Sequence, residues 1–232
     1  QPAGTFATSA GTPSVLAGEA VSATSLLLNG LATPDEIPSQ SSQSGKFLTT
    51  DGTDASWGTV APAGLVLLST VTASSSSTVD IETTFDGTYD SYVIMATNVK
   101  PASNNQNLKC RFKISGSYLT ANYYLHRNKS NSGSSGYVGV SASNDGDLVI
   151  ASGLASSNNH HLNFNLYISQ PAITNKFHTV HWNGSHIDGN QYSVEASGVA
   201  YNQNTGALTG IRFQCGSGTV EIGTFKLYGV AK

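Results

Sequence analysis

The sequence predicts an all-β fold, an extended N-terminal shaft or linker followed by an antiparallel β-sandwich of jelly-roll type, and three observations predict it. First, charged residues make up only 11% of the 232 residues, against roughly 25% in an ordinary soluble domain. Ser, Thr, Asn and Gly take their place, including 24 glycines, and these residues favour turns and strands over helices. Second, apolar residues recur with period two in short runs, the spacing that puts every second side chain on one face of a strand. Third, turn residues punctuate those runs closely, and no stretch carries a sustained 3.6-residue period with caps.

From Gln1 to about residue 63 little in the chain would build a core. This stretch is rich in Ala, Ser, Thr and Gly, carries Pro2, Pro13, Pro34, Pro38 and Pro62, and confines its aromatics to Phe6, Phe47 and Trp57. Its one early apolar patch is Ser25-Leu26-Leu27-Leu28-Asn29-Gly30-Leu31. Alone it buries too little surface to offset its conformational entropy. Three copies around one axis would cover each other's apolar side chains, which makes residues 1–63 a shaft or trimerisation segment. A flexible linker is the alternative. Leu27 and Leu28 are candidate anchors at such an axis.

Residues 64–232 follow a different pattern. Gly64–Val71 reads as a buried strand and Thr78–Glu82 alternates. Asp90–Thr97 is the strongest strand, followed by runs at Leu108–Ile114, Tyr118–Arg127, Tyr137–Ser141, Leu148–Ala151 and His161–Ser169. The last group is Phe177–Trp182, Tyr192–Tyr201, Gly210–Cys215 and Thr219–Val230. Asp86-Gly87, Asn128–Gly136, Asn144–Asp147, Asn183-Gly184, Asp188-Gly189 and Gly216–Gly218 supply the expected turns. About ten short strands so spaced fit a jelly-roll-like sandwich.

The charge pattern argues against two kinds of partner. Net charge is −3 and the 11 Lys and Arg are scattered, whereas a nucleic-acid binder clusters them against phosphates. No apolar run approaches the ~20 residues of a membrane-spanning helix, so membrane insertion is not expected. Cys110 and Cys215 each sit in an alternating run and read as free, buried thiols used as small hydrophobes. The chain starts at Gln1 with neither an initiator Met nor a signal peptide, which suggests a fragment or processed product.

Ser44-Gly45-Lys46-Phe47-Leu48-Thr49-Thr50-Asp51-Gly52-Thr53-Asp54-Ala55-Ser56-Trp57 stands at the junction of the two regions. Asp51-Gly52 supplies a tight reversal that returns Trp57 towards Phe47, with Phe47, Leu48 and Trp57 as apolar anchors. The segment resembles one that recurs in tail fibres and fibre-like appendages of tailed bacteriophages, just ahead of a distal domain. Phe85–Tyr92, with Gly223-Thr224-Phe225-Lys226-Leu227-Tyr228-Gly229 near the end, more loosely resembles phage β-sandwich tip domains. The resemblance implies a homotrimeric virion protein, joined to other virion proteins on its N-terminal side, that contacts a host-surface glycan or lipopolysaccharide. It departs from fibre tips that bind metal through His-X-His pairs, because His160 and His161 are adjacent and His178 and His181 are three apart.

The search for catalytic chemistry yields little. Asp80 and Glu82 share a strand face as a glycosidase pair would, but surface alternation explains them equally. Asn144-Asp145-Gly146-Asp147 looks like half a calcium loop, and a hairpin turn accounts for it better. No nucleophile elbow, phosphate-binding loop or Cys-X-X-Cys is present. The expectation is a non-enzyme without cofactor or metal. Candidate receptor-binding residues are Tyr118, Asn122, Tyr123, His126 and Arg127 in one aromatic-rich run, Asn131 in the polar loop, and Trp182 and His186 near Asn183-Gly184. Sugars stack on aromatic faces and hydrogen-bond to Asn, Arg and His, and loops on a rigid scaffold commonly carry binding function. For Tyr123, Tyr124 and Trp182 the alternative is packing in the core or at a subunit interface. Two further functions stay open: a capsid decoration or fibre-anchoring protein that meets no receptor, and a carbohydrate-binding module of a polysaccharide-active enzyme.

Overall fold

The alternation in the sequence becomes fifteen strands and no helix among the residues described by a computed structural model, 38–60, 64–82, 85–133 and 136–231. Leu27 and Leu28, with the rest of the early apolar patch, lie outside the described residues. The chain divides into two compact units, Gln1–Ala61 and Pro62–Lys232.

In the first unit, β1 (Phe47–Thr50) and β2 (Ala55–Gly58) form an antiparallel hairpin with Leu48 opposite Trp57 and Phe47 opposite Gly58. Asp51 closes it: its Oδ1 accepts the Thr53 and Asp54 amides at 2.8 and 2.9 Å, and Gly52 takes the left-handed φ of +98° that this turn requires. Those amides, Asp54 foremost, hold the Asp51 carboxyl below its ordinary range. Trp57 donates its indole N–H to the Pro38 carbonyl at 3.1 Å. Phe47 and Leu48 remain 45% and 49% exposed.

The second unit holds β3 (Leu65–Ser76), β4 (Val79–Ile81), β5 (Ser91–Pro101), β6 (Gln106–Ile114), β7 (Ser117–Tyr118), β8 (Tyr123–Asn131), β9 (Tyr137–Asp145) and β10 (Leu148–Leu154). After them come β11 (Leu162–Ser169), β12 (His178–Ile187), β13 (Ser193–Asn202), β14 (Leu208–Cys215) and β15 (Val220–Val230). The larger sheet has the order β3-β15-β5-β11-β12-β13-β8-β9; the smaller has β10-β6-β14-β4, with β7 beside β6. Every pairing is antiparallel.

One core fills the space between the sheets. Leu227, Ile94, Leu166 and Trp182 lie in one register row of the larger sheet, and Phe213, Cys110 and Leu148 in one row of the smaller. Phe164 meets Phe213 across the gap at 5.6 Å between ring centres. Burying side chains of this size contributes about 1.5–3 kcal/mol each, which is what holds the two sheets together.

One turn expectation fails and another is shortened, for instructive reasons. Asn183-Gly184 is no reversal: β12 runs straight through it, and the chain turns later, where Asp188 Oδ1 accepts the Asn190 and Tyr192 amides. Gly184 serves close packing, since a Cβ there would stand 2.6 Å from the Phe164 Cβ. The expected loop Asn128–Gly136 begins later than expected, because β8 continues to Asn131, and β9 begins at Tyr137 just after it. The expected strand Tyr118–Arg127 is broken instead, at Asn122, whose φ of +64° leaves the β region.

Candidate functional site

Antiparallel register carries one row of side chains across the outer face of the larger sheet: Tyr228, Val93, Tyr167, His181, Val199, His126 and Ser141. Two residues along each strand, the next row brings Ser91, Thr179, Tyr201 and Tyr124 to the same face. A concave groove of about 1000 Å³ opens there. Neither Asp, Glu, Lys nor Arg lines it.

Aromatic rings give the groove its surface. Tyr124 stacks on Tyr201 at 5.0 Å with planes 8° apart, and Phe177 continues the ladder 5.8 Å from Tyr201 at 13°. Tyr167 and His181 stack at 4.5 Å and 5°, and His126 Nδ1 lies 2.9 Å from Ser141 Oγ. Val199, at the middle of the row, is 57% exposed. Side by side on neighbouring strands, such rings reinforce the sheet while leaving apolar surface in water.

Along the other direction the chemistry changes to amides and hydroxyls. The row Lys226, Met95, Asn165, Asn183, Ser197 and Asn128 lies one pleat away. A second hollow of about 360 Å³ opens beside it, lined by Asn163, Asn165, Asn183, Ser185 and Glu195 among others. The outer face of the larger sheet thus pairs an aromatic groove with a shelf of side-chain amides.

Charge collects on the smaller sheet. Arg212 grips Asp80 through two hydrogen bonds of 2.7 and 2.6 Å, Lys113 meets Glu82 at 2.7 Å, and Lys109 meets Asp147 at 2.8 Å, with Arg111 on the other Asp147 oxygen. Hydrogen bonds from Lys113 and Tyr118 hold Glu82 below the ordinary carboxylate range. Burial would raise Asp147, but Lys109 and Arg111 outweigh it and hold the carboxyl low. Asp80 and Glu82 therefore sit in ion pairs rather than facing each other across a cleft. Among the described residues no group of three or more His, Cys, Asp or Glu is arranged to hold a metal.

Of the eight receptor candidates, the structure brings only His126 to the groove. Tyr123, Arg127, Trp182 and His186 are corrected: all four point between the sheets. Tyr123 is fully buried, its hydroxyl accepting the Phe112 amide at 2.6 Å. Trp182, 2% exposed, donates to the Ile150 carbonyl at 2.9 Å. Arg127 reaches Ser152 Oγ at 3.0 Å, and His186, 3% exposed, reaches the Ser152 carbonyl through Nε2 at 3.2 Å. Tyr118 belongs to the charged face, its ring 3.8 Å below the Arg212 guanidinium carbon. Asn122 shapes the bend before β8, donating its amide to Asn144 Oδ1, and Asn131 ends that strand, accepting the Gly133 amide. Sequence reasoning missed Tyr124, Tyr167, Phe177, His181 and Tyr201 as one surface; the signal was their two-residue spacing from neighbours of the same parity, Tyr124 with His126, Phe177 with Thr179 and His181, and Val199 with Tyr201. Comparison with known protein families, with curated proteins and with solved structures finds nothing that matches this chain.

Proposed function

We propose that the chain is the distal part of a tailed-phage fibre or similar virion appendage, a homotrimeric, jelly-roll-type adhesion module that attaches the particle to a host-surface glycan or lipopolysaccharide. The carrying observation is the concave, charge-free aromatic groove on the outer face of the larger sheet. Concave, largely apolar clefts with a few polar groups at their edge are where ligands bind, and a rigid eight-stranded sheet holds this one in shape. The Phe47–Gly58 hairpin, with Phe47 and Leu48 half exposed, supports the subunit-joining role that its resemblance implies, with other virion proteins on the N-terminal side. Three weak sites on one fibre, and several fibres per particle, multiply affinity by avidity. No enzymatic step belongs to this function.

The test uses the chain as a labelled protein on intact host cells. It is expected to sediment as a trimer at micromolar concentration, to bind the cells and to compete with phage adsorption. A stable monomer, or a trimer that ignores every host carrying the adsorbing phage, would overturn the reading. The second outcome is the one expected of a capsid-decoration or anchoring protein, which the exposed apolar side chains Leu67, Phe177 and Val199 also suit.

A further inference from the structure

We infer that the groove takes a neutral polysaccharide and discriminates against acidic or phosphorylated glycans; this rests on the attachment reading above and names its ligand class. Two separate observations carry it. The first is electrostatic. A carboxylate, sulfate or phosphate entering the groove would lose hydration and find no cation to replace it, because no Lys or Arg lines the cavity. The charged residue that lines the adjoining shelf hollow is an anion, Glu195. Arg212, Lys113, Lys109 and Arg111 lie on the outer face of the other sheet and are already paired with Asp80, Glu82 and Asp147, while Lys226, on the same face as the groove in the row of Met95 and Asn165, does not line it.

The second observation is the division of the face into two strips. A pyranose presents an apolar C–H face and a rim of hydroxyls. The Tyr124–Tyr201–Phe177 ladder and Val199 supply apolar surface for the first. The amides of Asn165 and Asn183, one pleat away, both donate and accept hydrogen bonds for the second. The groove crosses the strands from Leu65 on β3 to Tyr124 and His126 on β8, six strand spacings or about 29 Å at ~4.8 Å each. That is a track for a chain of several sugars, not a socket for one.

The experiment measures binding of the full chain by affinity electrophoresis and calorimetry to three neutral polysaccharides (dextran, laminarin and galactomannan) and two anionic ones (alginate and dextran sulfate), at 50 and 500 mM NaCl. At least one neutral glycan is expected to bind, with less than twofold change between the two salt concentrations, and the anionic ones are expected not to bind. Tyr124→Ala with Tyr201→Ala is expected to weaken binding about tenfold or more, the scale at which truncating a central aromatic anchor acts. Val199→Arg blocks the groove from an exposed position that folding does not need, so it reads the site even if the double variant is unstable. Binding to the anionic glycans with steep salt dependence, or neutral binding that survives Val199→Arg, overturns the inference. So does a Val199→Arg protein whose sedimentation shows a changed assembly, because a second copy would then occupy the groove. Host-cell binding without binding to any neutral glycan defeats the inference and leaves attachment standing; loss of both defeats both.

Discussion

His186 makes the stability of the larger unit depend on pH in a window that its carboxylates leave alone. Its ring is 3% exposed, packed between the sheets, with Nε2 on the Ser152 carbonyl and Nδ1 without a partner. Burial disfavours the imidazolium, Lys129 adds to that, and the Ser152 hydrogen bond and Asp188 oppose it incompletely, so the ring titrates near 4 instead of 6.5. The unfolded chain therefore takes up a proton at about 6.5 while the folded chain resists until about 4. Stability from the neutral ring is fully present above pH 6.5, falls as pH drops below that value, and is gone near pH 4. A difference of about 2.5 pH units is worth about 3 kcal/mol at roughly 1.36 kcal/mol per unit. At a urea dependence of ~2–3 kcal/mol per molar, that is a midpoint lowered by about 1–1.5 M. Urea unfolding followed by tryptophan fluorescence from pH 7.5 to 4, for the native chain and for His186→Gln, gives the answer as a difference curve. Gln keeps a donor for Ser152 and does not titrate, so the gap between the curves should narrow steadily below pH 6.5. Parallel curves over that range would refute the reasoning.

Other sites give independent tests. Gly198→Ala should destabilise by about 1–3 kcal/mol, because its Cβ would stand 2.4 Å from Trp182 Cζ2 and 2.9 Å from the His126 carbonyl oxygen; chemical denaturation measures it. Asp147→Asn removes the carboxylate shared by Lys109 and Arg111 and should cost about 2 kcal/mol, a loss that shrinks as pH falls below about 4, where the unfolded carboxyl takes up a proton that the native one, held low, still resists. Burial raises the Cys110 thiol and pushes Cys215 up to about 11. Neither should therefore react with a thiol reagent at pH 8 until guanidinium unfolds the chain, when both should be modified.

The all-β character was legible because strand periodicity and turn chemistry agree over most of the second unit. Where they conflicted, tertiary packing decided. Asn-Gly is the strongest short hairpin signal in a sequence, yet Asn183-Gly184 lies in mid-strand because the Phe164 backbone and Cβ fill the space a larger residue would need. Strand pairing partners were not legible at all. That Tyr228 on the last strand shares a row with Tyr167, His181 and His126 depends on five registers, and no local pattern fixes any of them.

Of the site only His126 was legible, and the rest was missed for a single cause. Alternation says that neighbours face opposite ways but not which way either faces. Tyr123-Tyr124 gives no hint, since both residues are equally at home in a core or on a surface. The structure sends Tyr123 inward to the Phe112 amide and Tyr124 outward to the ladder. Once that parity is set for β8, it carries Leu125 and Arg127 inward and His126 and Asn128 outward, and pairing passes it on to β13 and β12. The polar groups that looked most like recognition chemistry, Arg127, Trp182 and His186, fell on the inward parity. There each spends its polar end on β10, reaching Ser152, Ile150 and again Ser152. Most buried polar groups find a partner, and in a chain this poor in charge those bonds tie one sheet to the other. The outward residues that line the groove are uncharged and largely aromatic, and the charged ones on that face, Glu195 and Lys226, stand in the rows beside it.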